Sequence, residues 1–99
     1  MKRKSKKKGS NFYWQIICEL FEFRCAYCGE SKSLNIDHFI PVYLGGGQEI
    51  GNIVPSCFEC NGRKGNRHPK RFLKAVLFDR IEQKIEESKK IYYSRFIKV

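Results

Sequence analysis

Ninety-nine residues leave room for one small domain, whose core is thin without a staple. Twenty lysines and arginines against ten aspartates and glutamates give a formal charge of +10, a broad positive potential whose natural partner is a polyanion. No apolar stretch approaches the roughly 20 residues that cross a bilayer, which argues against a membrane protein, although charge by itself leaves nucleic acid and an anionic membrane surface both open.

Residues 1–10 hold six cations and no large apolar side chain beyond Met1. Nothing there offsets the entropy of ordering the chain, so a disordered basic arm is predicted, with the folded domain over 11–99. Such an arm would contact phosphates without sequence preference. Phe12, Ile16, Leu20 and Phe23 then recur at intervals of four, four and three, which predicts an amphipathic helix over 11–23 capped by Ser10 or Asn11, with these side chains in the core. Trp14 lies off that stripe. Cys18, among Ile16, Ile17 and Leu20, reads as a small buried hydrophobe.

A tight knuckle is expected over 25–29. Residues 34–37 alternate apolar and polar as a half-buried strand does, with Pro41 marking its end. Gly45-Gly46-Gly47 permits positive φ in a mobile loop, and 50–54 reads as a second short strand, so the two make an antiparallel hairpin with a long connection. A short helix follows over 58–64. After a break at Gly65-Asn66, a longer helix is predicted from about Pro69, striped by Phe72, Leu73, Val76, Leu77, Ile81 and Ile85 and placed over the hairpin.

Five cysteines is an odd number, no apolar signal segment opens the chain, and four of the five fall in the pairs Cys25-x-x-Cys28 and Cys57-x-x-Cys60. That pattern favours metal over disulfides and an intracellular setting such as the nucleoid or a phage-infected cell. Four thiolates so spaced make a closed tetrahedral zinc site, which is the staple.

Between and just after the knuckles lie the materials of phosphodiester hydrolysis, which needs a base, a cation and groups that hold the phosphate. Histidine, with an ordinary pKa of about 6.5, supplies a neutral base, and the candidates are His38 and His68. His68 precedes a proline at a helix start and reads as a cap or surface residue. Asp37 and Asn61 offer hard oxygens suited to Mg²⁺ or Mn²⁺, and two protein ligands leave positions open for water and phosphate oxygens. Arg63, Lys64 and Arg67 follow the second knuckle, where they can clamp phosphates.

The order Cys25-x-x-Cys28-Gly29, Leu34-x-Ile36-Asp37-His38-x-x-Pro41-x-x-x-Gly45-Gly46, Gly51-Asn52-Ile53-Val54 and Cys57-x-x-Cys60-Asn61-x-x-Lys64-Gly65 resembles an HNH endonuclease of the zinc-knuckle type over residues 25–67. The resemblance implies an α+β fold: a ββα-metal (HNH) centre of hairpin and short helix, stapled by one four-cysteine zinc site, with flanking helices. It implies His38 as general base, Asn52 as the middle letter that holds loop and base, and Asn61 with Asp37 as ligands of the catalytic cation. Here the last letter is Asn and not His, and the residue before the base is Asp. Oxygen ligands in place of imidazole favour Mg²⁺ or Mn²⁺ over zinc at the catalytic centre.

The activity implied is metal-dependent DNA endonuclease cleavage, a nick by a monomer or weak dimer, leaving 5′-phosphate and 3′-hydroxyl ends. A zinc-stabilised nucleic-acid-binding module with a silent centre explains the charge and the zinc equally well, and RNA remains open as a target. A protein partner that supplies target specificity is expected for a domain this small. One conformational demand follows from the motif: neighbours in a regular strand point to opposite faces, so the strand must end or bulge at Asp37-His38 for both to serve one site.

Overall fold

The computed structural model describes residues 8–48 and 50–96, with side chains from residue 12 onward. Helix α1 (Lys8–Leu20) begins earlier than the expected cap, so residues 8–10 are helical; the rest of the predicted arm lies outside the described residues. The helix ends sooner than the stripe suggested. Glu22 and Phe23 both take φ of 58°, and the Phe23 N–H turns back to the Cys18 carbonyl at 2.8 Å, which closes the last turn.

Two apolar stripes compete on α1, one through Phe12, Ile16, Leu20 and Phe23 and one through Tyr13, Ile17 and Phe21. The second wins with Ile16: Tyr13, Ile16, Ile17 and Phe21 are buried, while Phe12 and Phe23 stand 46% and 55% exposed. The deciding partner is α3 (Ala75–Phe96), where Ser88 meets the Tyr13 hydroxyl at 2.6 Å inside the core. Trp14 is half-buried against the same core, and Cys18 is buried as expected.

Strands β1 (Asn35–His38) and β2 (Ile53–Ser56) pair antiparallel, with Asp37 opposite Val54 and His38 opposite Ile53. Every residue of β2 is buried, because α1 packs across it. The second strand starts later than predicted, since Gly51, at φ 90°, and Asn52 are spent on the turn that leads into it. Pro55 is tolerated in β2 because a two-stranded ladder leaves an edge on which a missing N–H costs nothing, and its carbonyl accepts from Ala26 N at 2.8 Å, tying the first knuckle to the hairpin.

The connection between the strands carries a 3₁₀ turn at Val42–Leu44. After β2 comes α2 (Phe58–Lys64), which matches its predicted span, then a 3₁₀ turn at Pro69–Arg71 and α3. His68 caps that turn, its Nδ1 accepting from Lys70 N at 3.1 Å. The long helix therefore starts later than Pro69: Phe72 and Leu73 lie in the loop before it, and Val76 is 73% exposed. Its main partner is α1 and not the hairpin, which it reaches where Phe78 meets Phe39 at 5.3 Å between ring centroids. The order β1, β2, α2 is the ββα unit, and the flanking helices hold it from behind.

Candidate active site

The Sγ atoms of Cys25, Cys28, Cys57 and Cys60 all lie within 4.8 Å of one another, with Cys28 and Cys57 at 3.9 Å. Four sulfurs around one zinc at Zn–S of about 2.3 Å stand about 3.8 Å apart, so the cluster fits the ion. The N–H of Tyr27 donates to Cys25 Sγ at 3.4 Å and that of Cys60 to Cys57 Sγ at 3.5 Å. Burial pushes the Cys25 thiol up, but hydrogen bonds from the backbones of Cys28, Cys57 and Tyr27 outweigh it and hold the group at about 7, as suits a thiolate ligand. Cys18 is the opposite case, pushed up to about 11 by burial.

On α2 the spacing of Cys57, Cys60, Asn61 and Lys64 is i, i+3, i+4, i+7, which brings all four to one side of a short helix. The cysteine cluster thus presses Asn61 and Lys64 toward β1. Between hairpin and helix opens a cleft of about 370 Å³ whose walls include Asp37, His38, Asn61 and Lys64. The first strand ends at His38, and that ending is what lets the two adjacent residues Asp37 and His38 line one cleft.

The strand presents the face opposite to the one its apolar pattern suggests. Ile36 is 52% exposed and Asp37 is buried. Asp37 turns inward because its charge is met there: Oδ2 accepts from the Tyr27 hydroxyl at 2.5 Å and Oδ1 from Lys64 Nζ at 3.3 Å. Lys64 Nζ also donates to the His38 carbonyl at 3.1 Å. Burial raises the Tyr27 phenol far above its ordinary range, and the carboxylate beside it adds to the effect, so Tyr27 is held as a donor. This tyrosine escaped the sequence reading. Its signal is a hydroxyl-bearing aromatic between two ligand cysteines, in a knuckle too short to bury it elsewhere.

His38 is oriented from the other side. Its Nε2 lies 2.9 Å from the Gln48 carbonyl, which can only accept, so Nε2 carries the proton and Nδ1 keeps its lone pair. Asn52 fixes the loop that delivers this carbonyl: Oδ1 accepts from Ile40 N at 2.9 Å, and Nδ2 donates to Ile40 O at 2.9 Å and Gly47 O at 2.7 Å. Any Cβ on Gly46 would collide with the Ile40 carbonyl and stand 2.7 Å from Asn52 Nδ2, so only glycine lets the loop close on Asn52. Asn52 itself does not line the cleft of Asp37, His38 and Asn61.

The three cations after the second knuckle part company. Lys64, read from sequence as a phosphate clamp, is 1% exposed, its ammonium turned inward to Asp37. Arg63 is exposed and reaches Cys60 Sγ at 3.7 Å, beside the thiolate cluster. Arg67 is exposed too; it donates to the carbonyls of Lys64, at 3.2 Å, and Arg63, closing the end of α2, and lies over the Phe72 ring at 5.4 Å.

The sequence model of the HNH endonuclease family matches residues 25–77, just over half the chain, taking in both knuckles, the hairpin and α2. The chain belongs to the HNH endonuclease family. Within the HNH match fall Asp37, His38, Asn52 and Asn61 together with all four clustered cysteines. The chain is also 34% identical over 70 residues to the Septu protein PtuB of Bacillus thuringiensis, a match that covers 64% of this chain and 27% of that protein. It therefore spans about a quarter of the length of this curated relative. No solved structure matches it, and among the described residues no helix is long and apolar enough to cross a membrane.

Proposed function

We propose that this HNH protein is a metal-dependent DNA endonuclease with His38 as general base. The observation that carries the reading is the single cleft between hairpin and α2 that gathers Asp37, His38 and Asn61 in a chain of this family. Asp37 and Asn61 would hold Mg²⁺ or Mn²⁺, which when bound neutralises the charge that develops on the phosphate and its leaving oxygen. The donor set fits a hard cation: one amide oxygen and one carboxylate whose oxygens keep lone pairs beyond those used by Tyr27 and Lys64.

His38 takes the proton of the attacking water at Nδ1, and the Gln48 carbonyl steadies the imidazolium through Nε2. Asn52 keeps that carbonyl in place, and Lys64 balances the buried charge of Asp37. Cleavage leaves a 5′-phosphate and a 3′-hydroxyl. One centre cuts one strand, so a monomer nicks. Four cysteine thiolates hold a structural zinc, the staple of this small fold. Arg63, Arg67 and the cations of residues 1–10 attract DNA through its phosphates, which position without reading sequence; a protein partner supplies the target.

The test is supercoiled plasmid incubated with zinc-loaded protein, with and without Mg²⁺ or Mn²⁺. Nicked circles should form only with the added cation and only when His38 is present, so His38→Ala should fold, keep zinc, bind DNA and not cut. A second reading, a silent nucleic-acid-binding module, draws on the Lys64 ammonium already seated on the Asp37 carboxylate. Wild-type protein inert with every divalent cation would favour it.

A further inference from the structure

A second cleft, of about 640 Å³, adjoins the first and is lined by Tyr43, Leu44, Asn66, Arg67, His68 and Arg71. Tyr43 and Asn66 line both clefts, and the Tyr43 hydroxyl donates to the Asn66 carbonyl at 2.9 Å. The wall between the two spaces is therefore a bridge from the Val42–Leu44 turn to the segment after α2. An aromatic ring that is 69% exposed would ordinarily swing freely; here its far end is tied down and its faces stay open. Val42 and Leu44 beside it are 41% and 45% exposed, so three large apolar side chains stand outward in a row on a protein of charge +10. Such a patch marks an interaction surface.

The chemistry of the second cleft is one-sided. Arg67, His68 and Arg71 line it, and no carboxylate does among the described residues. Guanidinium groups beside a fixed aromatic ring are what a nucleotide requires: every base has a face that stacks, and the phosphate pairs with arginine.

We infer that this cleft is a nucleotide subsite, in which an unpaired base stacks on Tyr43 while its phosphate meets Arg71 and Arg67, so that the preferred substrate carries an unpaired nucleotide beside the scissile bond. The inference rests on reading the neighbouring cleft as the nuclease centre. Apolar side chains next to the cutting site then have a purpose, since wedges of this kind separate stacked bases. The charge of the cleft selects nucleic acid over an apolar protein helix as its occupant.

Binding, and not cutting, tests it. Full-length, zinc-loaded His38→Ala protein is titrated with two duplexes that differ only in whether one 2-aminopurine is paired with thymine or faces an abasic gap. The gapped duplex should bind about tenfold tighter, within what stacking one base contributes, and its fluorescence should be quenched on binding. Tyr43→Ala should erase the preference and the quenching and leave affinity for the paired duplex intact, while Arg71→Ala should lower the salt slope of binding by about one. Leu44→Ser offers a second variant at an exposed position should Tyr43→Ala fail to fold. Equal affinity for the two duplexes, or a preference that survives Tyr43→Ala, overturns the subsite and leaves the exposed turn to a protein partner. The plasmid test separates the two ideas: cutting without the preference removes only the subsite, and the preference without cutting removes the nuclease reading and its scissile bond but keeps the base-stacking cleft.

Discussion

Lys64 Nζ lies 3.3 Å from Asp37 Oδ1, with 2% of the lysine and 7% of the aspartate side chain exposed. A buried pair of this kind is worth little against an apolar replacement of both members, but breaking it from one side strands a charge. Lys64→Met should therefore destabilise the zinc-loaded protein by about 3–5 kcal/mol, and the double variant Asp37→Asn, Lys64→Met should recover much of the loss. Denaturant midpoints with matched slopes measure both. If Lys64→Met unfolds at the wild-type midpoint, the pairing is not what holds Asp37 inside.

Tyr13 and Ser88 join α1 to α3 with a defined direction. Ser88 Oγ donates to the Ile85 carbonyl at 2.6 Å, so its hydroxyl must accept from Tyr13 at the same distance. Tyr13→Phe removes the donor, leaving a spare lone pair on Ser88 and taking the phenol oxygen from the Gly51 backbone, at about 1 kcal/mol. Ser88→Ala strands a buried O–H in the core and should cost more, up to about 3 kcal/mol. Thermal or denaturant unfolding of the two variants checks the order, and a reversed order would refute the assignment of donor and acceptor.

Asn52 supports His38 through the loop and does not line the cleft that holds Asp37 and His38. Asn52→Ala leaves the Ile40 N–H and the carbonyls of Ile40 and Gly47 without their partner, at about 1–3 kcal/mol per buried group that finds no water. The Gln48 carbonyl then wanders, and a misplaced base should lower the nicking rate roughly 100-fold with DNA affinity nearly unchanged. Asn52→Asp keeps the shape, loses both donors and should fare no better. Nicking rates and DNA titrations on the same preparations decide the matter, and a binding defect as large as the rate defect would show that Asn52 does something else.

Zinc at the four cysteines should be found by elemental analysis at one ion per chain in protein purified without added metal. With zinc bound, no thiol should react quickly at neutral pH, because Cys18 is buried and the others are ligands. Chelation should unfold the domain and expose all five. Uptake of zinc needs thiolates; the Cys25 thiol is held down at about 7, whereas burial pushes those of Cys28 and Cys60 up, so affinity should fall as pH drops through neutrality and go on rising above it. Chelated protein that retains its fold and hides Cys18 would count against the staple.

Much of the centre could be read along the chain because its signals are local. The Cys-x-x-Cys pairs, the span of α2 and the Asp37-His38 step before Pro41 are fixed by ligand spacing and backbone restriction, which act within a few residues. What could not be read was the choice of face. Leu34 and Ile36 predicted an inward apolar edge for β1, yet Asp37 turns in, since Tyr27 and Lys64 arrive from 10 positions before and 27 after to meet its charge. Lys64 looked like a phosphate clamp for the same reason: in sequence it is one more cation behind a knuckle. The two competing stripes of α1 were settled by Ser88, 75 residues from Tyr13. Periodicity tells which side chains share a face, and only the partners that folding brings against that face decide whether it lies in or out.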